Sequence, residues 1–71
     1  MTRKSMVLIN KEGQLFVARS LELGVTSQGK NVEEAKKNLK EAIELYLEDA
    51  PGARNNLSKE SPLVTSLEIG R

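Results

Sequence analysis

Seventy-one residues allow one domain at most, and a chain this short removes a smaller share of its surface from water than a domain of typical size. Cysteine and histidine are both absent, which excludes a disulfide framework and any thiolate or imidazole metal site. The charge balance of 11 basic against 10 acidic residues, with one Phe and one Tyr, lacks the basic stripe and stacking aromatics of a nucleic-acid module.

Small domains usually gain stability from disulfides, a structural metal or association with other chains. The first two routes are closed here, so a homo-oligomer or a partner protein is the expected source of extra buried surface. An all-carboxylate cation site has no support either, because the acidic residues lack loop-type spacing such as D-x-D-x-D-G. No cofactor and no metal are expected. The apolar fraction of 38% is enough for a core, which argues against disorder. Met1–Asn10 has basic residues but an apolar run of only Met6–Ile9, too short for a secretory signal. No stretch reaches the roughly 18 apolar residues of a membrane span. The expectation is a cytoplasmic chain with no membrane contact.

Residues 1–5 are polar and basic and read as a frayed N-terminus; residues 6–71 read as a single domain. Met6-Val7-Leu8-Ile9 is a short continuous apolar run whose length and β-branched content predict a strand covered on both faces. Asn10–Gly13 supplies turn residues. Gln14–Ser20 predicts a second strand, with Leu15, Val17 and Arg19 on one face and Phe16, Ala18 and Ser20 on the other. The pair forms a hairpin. Leu21–Gly24 is an irregular connection, and Val25–Gln28 reads as a very short third strand ended by Gly29.

A helix follows. Asn31 is a suitable N-cap, Glu34 three positions later can complete a capping-box-like arrangement, and Glu33 and Glu34 suit the positive end of the helix dipole. Val32, Ala35, Leu39, Ala42, Ile43 and Tyr46 recur at spacings of three and four and make one buried stripe. Glu33–Lys37 and Lys40–Glu44 have the i,i+4 spacing of solvent-side ion pairs. Pro51-Gly52 ends the helix. Leu45 and Leu47 widen the apolar surface near its C-terminal end, either as contacts for another chain or as a broad core-facing stripe. Ala53–Pro62 is polar and reads as a flexible loop. Leu63–Ile69 alternates apolar and polar residues and predicts a closing half-buried strand. The fold class is therefore α+β, in the order β-β-β-α-β, an antiparallel sheet with one helix packed on one face. A single helix covers one face of such a sheet, so the first two strands leave apolar residues for a partner.

The parts of an active site are missing. Nucleophilic catalysis lacks Cys, a His base and a G-x-S-x-G elbow. Gly24 and Gly29 have no Lys-Ser/Thr after them, so they do not form a phosphate loop; they read as changes of chain direction around a short strand. Glu33, Glu34, Glu41, Glu44, Glu48 and Asp49 alternate with Lys on the predicted helix and fit a solvated face better than a carboxylate pair. The Lys36, Lys37 and Lys40 cluster reads the same way, because interleaved glutamates lower its potential.

Two segments in register carry a resemblance. The first is Gly24-Val25-Thr26-Ser27-Gln28-Gly29, and the second combines Val32-Glu33-Glu34-Ala35 with Asn38 through Leu47. Together with the upstream hairpin they resemble the HicB-like antitoxin family, whose pattern is G-x-x-x-Q-G followed by E-E-A and L-x-E-A-I-E-L-Y-L. The likeness covers Met6 to about Asp49. The chain departs from the pattern in the loop Ser20–Val25, which lacks the family's frequent prolines and cysteine, and at Lys30-Asn31, where Asp-Thr is common. With 71 residues, the DNA-binding segment that many members carry after this domain is not expected here.

The resemblance implies a partial ribonuclease-H-like fold and an antitoxin that oligomerises and neutralises a small HicA-type ribonuclease toxin. No catalysis is implied, and no direct nucleic-acid binding is expected of this chain alone. The alternative is a stand-alone oligomeric accessory protein of the same fold with no toxin partner. The candidate protein-interface residues are Val7, Ile9, Phe16, Ala18, Leu45 and Leu47.

Overall fold

The computed structural model describes residues 3–57 and 67–70. Strand β1 (Val7–Glu12) and strand β2 (Leu15–Ser20) form an antiparallel hairpin, with Ile9 opposite Ala18 and Glu12 opposite Leu15. The strands run further toward the turn than the sequence implies. Asn10, Lys11 and Glu12 join β1, and the loop shrinks to Gly13 and Gln14. Gly13 has φ +64° while no non-glycine residue is at positive φ, which is the type II′ requirement for a two-residue hairpin. That turn matches the strand twist, so three polar residues extend the ladder instead of forming a loop.

Strand β3 (Thr26–Gly29) pairs antiparallel with β2, placing Phe16 opposite Gly29 and Arg19 opposite Thr26. It starts one residue later than expected and includes Gly29. The sheet order is β1-β2-β3. The connection from β2 to β3 is a tight turn in which the Gly24 amide donates to the Ser20 carbonyl at 2.8 Å and the Ser20 amide donates to the Val25 carbonyl at 2.9 Å.

Helix α1 (Val32–Asp49) begins where its capping residues predict. The Asn31 Oδ1 accepts from the Glu34 amide at 2.8 Å, and the Glu34 carboxylate accepts from the Lys30 amide at 2.9 Å. This is a capping box displaced by one residue, because the returning carboxylate reaches past Asn31. The helix ends before Pro51, which has no amide to continue the ladder. Of the loop expected over Ala53–Pro62, residues 58–62 lie outside the described residues, and the part up to Asn56 is instead in a 3-10 helix, Pro51–Asn56, which delivers Leu57 to the interior at 8% exposure. The proline presets the first turn and one apolar side chain anchors its end, which suffices to order a polar stretch.

Helix α1 lies across β3 and β2. The pairing register puts Val7, Ile9, Phe16, Ala18, Ser20, Ser27 and Gly29 on the helix side of the sheet. Ala18, Ala35 and Leu39 form the buried centre, with Val7, Ile9, Phe16, Val25 and Ile43 packed around it. Val32 and Tyr46, expected in the buried stripe, sit at its ends and remain 38% and 40% exposed.

Ser5 lies in the stretch expected to fray, yet it is tied to the fold. Its hydroxyl lies 2.6 Å from the buried Ser20 hydroxyl and donates to Glu22 Oε1 at 2.8 Å. The Met6 amide donates to the Glu22 carboxylate at 2.9 and 3.0 Å to its two oxygens. Of the expected closing strand, residues 63–66 lie outside the described residues. Leu67 and Ile69 are in no strand and are each 83% exposed. Alternation assigned these residues a common face, but among the described residues β1, β2 and β3 make the whole sheet.

Candidate interaction surface

The side of the sheet opposite α1 carries Leu8, Asn10, Glu12, Leu15, Val17, Arg19, Thr26 and Gln28, by the same register. Leu8 is 48% and Leu15 37% exposed, and among the described residues no element covers this face. Its apolar side chains, Leu8, Leu15 and Val17, are interspersed with polar ones from all three strands. That arrangement suits burial against another chain, because apolar strand surface gains most when removed from water.

The candidate interface residues divide accordingly. Ala18 has no exposed surface and holds the centre of the core, so it cannot touch a partner; this corrects the expectation. Val7, Ile9 and Phe16 are half-buried and face the helix, where they pack against Ala18, Ala35 and Leu39. Leu45, by contrast, is 64% exposed. Leu47 is half-buried and turns into a groove on the other side of the helix. Period-two patterning had sorted the β2 side chains into the correct two sets. Which set the helix covers depends on size: Ala18, Ser20 and Gly29 are small, and a helix backbone can approach only there.

The groove has a volume of about 710 Å³. Val7, Leu39, Ile43, Leu47 and Leu57 form its apolar floor, and Arg3, Lys36, Lys37, Lys40 and Arg54 stand around it. Among the described residues, Glu33 and Glu44 are the acidic ones lining it. The expected Glu33–Lys37 and Lys40–Glu44 ion pairs do not form, and among the described residues no ion pair engages the five cations. The fold brings Arg3 and Arg54 to a lysine face that the helix sequence alone portrays as balanced. Because the glutamates at 33 and 44 are separated by lysines on one side, the sequence suggested cancellation. The tertiary placement of the two arginines, distant in sequence, had no local signal.

Among the described residues no group of three or more Asp or Glu side chains is positioned to hold a metal. No helix among them is long and apolar enough to cross a membrane.

The chain is similar to a UPF0150 protein of Helicobacter pylori (strain J99 / ATCC 700824), with 49% identity over 47 residues. The match spans 65% of this chain and 65% of the relative's length. No family model matches the chain, and no solved structure does.

Proposed function

We propose that this chain is a HicB-like, non-catalytic protein-binding module that self-associates and neutralises a small HicA-type ribonuclease toxin in the cytoplasm. The observation that carries the reading is the sheet face around Leu8, Leu15 and Val17, which no element among the described residues covers, on a chain whose core is small. The antiparallel sheet with one helix accords with the family's order, and UPF0150 designates the HicB-like antitoxin family. The residues that recognise the partner are then Leu8, Leu15 and Val17, with Leu45 at the helix edge, in place of the core set Val7, Ile9, Phe16 and Ala18.

The test is recovery of the tagged full chain from its native cells, with identification of co-purifying proteins and light scattering of the purified material. A stoichiometric small ribonuclease, lost in Leu15→Lys but retained in Leu15→Ile, supports the reading. Self-association with no ribonuclease at native levels points instead to the stand-alone oligomeric accessory protein. A stable monomer at micromolar concentration removes the self-association part.

A further inference from the structure

We infer that the groove between α1, the residues leading into β1 and the 3-10 helix is a second docking site, which takes an extended acidic segment of another protein with apolar residues at alternate positions. This inference is independent of the toxin reading, because it concerns a surface on the opposite side of the sheet from Leu8 and Leu15.

Three observations converge on it. The groove has the size of a built site, about 710 Å³, within the range of ligand pockets. Its floor is apolar: Leu39 and Leu57 are buried there, and Val7, Ile43 and Leu47 are half-buried. Its rim is cationic, with Arg3, Lys36, Lys37, Lys40 and Arg54 against Glu33 and Glu44 among the described residues, where none of the five cations is held in an ion pair. Charge complementarity therefore selects an acidic occupant, and the apolar floor demands side chains that polyanions lack.

The wall beside β1 selects its conformation. Arg3, Ser5 and Val7 line the groove at every second residue, as the same face of extended backbone does. An extended segment laid along that wall can project alternate apolar side chains onto Leu39, Ile43 and Leu47 and leave its carboxylates at the lysines. Nucleic acid fits less well. Neither Phe16 nor Tyr46 lines the groove, so bases have no stacking surface.

The experiment uses the full chain and a fluorescein-labelled peptide of alternating leucine and glutamate, read by anisotropy. Saturable binding is expected, weakening as salt rises. Lys36→Glu/Lys40→Glu, two exposed helix positions, should weaken it about tenfold or more by combined loss and reversal of charge. Leu47→Asp should do the same through the floor. Circular dichroism checks that each variant is folded, and Lys36→Arg/Lys40→Arg should bind as the parent does. Absent binding overturns the proposal, as does binding indifferent to the charge reversal. Equal binding of an alternating leucine–lysine peptide, of polyglutamate or of single-stranded RNA also overturns it, since the groove would then lack the stated selectivity.

Discussion

Gly29 and Ala35 are in such close approach that a Cβ at Gly29 would lie 2.5 Å from the Ala35 backbone nitrogen and 2.8 Å from the Glu34 carbonyl carbon. The glycine ends β3 opposite Phe16, and Ala35 is the first fully buried residue of α1. The absent side chain is what lets the helix backbone sit on the sheet. Gly29→Ala must therefore push helix from sheet, since backbone atoms give far less than a flexible side chain tip. The expected loss is about 2–3 kcal/mol, read from the urea midpoint. At Gly13 nothing lies within 4 Å of the corresponding Cβ, so Gly13→Ala should cost about 1–2 kcal/mol through its positive φ alone. Equal helix–sheet packing in Gly29→Ala, shown by an unchanged midpoint, would refute the close-contact account.

The start of α1 depends on two asparagines with different jobs. Asn31 caps the helix through the Glu34 amide, and the Asn38 side-chain amide donates to the Gln28 carbonyl at 2.8 Å, tying the second turn to the end of β3. Asn31→Ala should cost about 1 kcal/mol and reduce helical circular dichroism at intermediate urea. Asn38→Ala should cost about 0.5–1.5 kcal/mol and mainly raise hydrogen exchange in β3. If Asn38→Ala frays the helix start as Asn31→Ala does, the two roles are not separate.

These two elements also show why the sequence was readable in one place and not in another. A helix start is written locally: Asn31, Glu33 and Glu34 act within one turn, and the helix begins where they predict. Strand faces are local too, because alternation sorts Phe16, Ala18 and Ser20 from Leu15, Val17 and Arg19. The choice of which face the helix covers is not local. It is decided by Gly29 meeting Phe16 in the β2–β3 register, a pairing across the connecting turn. The same holds for Leu57, which looks like a stray apolar residue in a polar stretch until the 3-10 helix carries it to the core. It holds as well for Arg3 and Arg54, which meet the helix lysines only in the folded chain.

A small polar cluster holds the segment before β1. Ser20 is fully buried, and its hydroxyl meets Ser5 and accepts from the Leu23 amide at 3.4 Å. Ser20→Ala leaves the Ser5–Glu22 bond in place but removes the partner that fixes the β2–β3 turn. A loss of about 1–2 kcal/mol is expected. Glu22→Ala should instead release the Met6 amide, so exchange at Met6 should rise more than at Leu21, whose amide donates to the Met6 carbonyl. Uniform acceleration across β1 and β2 would show that the cluster is not a local clamp.

The two sheet faces separate cleanly in a pair of substitutions one strand apart. Ala18 has no exposed surface and touches the helix layer, so Ala18→Leu adds volume where the packing has no room, at a cost of about 1–3 kcal/mol. For a domain this size that lowers the thermal midpoint by about 4–8 °C per kcal/mol. Leu8, on the face that no described element covers, is 48% exposed, and Leu8→Thr introduces a β-branched side chain suited to a strand. Its effect on the isolated chain should stay within about 0.5 kcal/mol. Measured in dilute and concentrated solution, Leu8→Thr carries further information. If Leu8 lies in a self-association interface, the variant should lose stability relative to the parent as concentration rises, because only the parent gains from assembly. A difference independent of concentration would place self-association elsewhere than on this face.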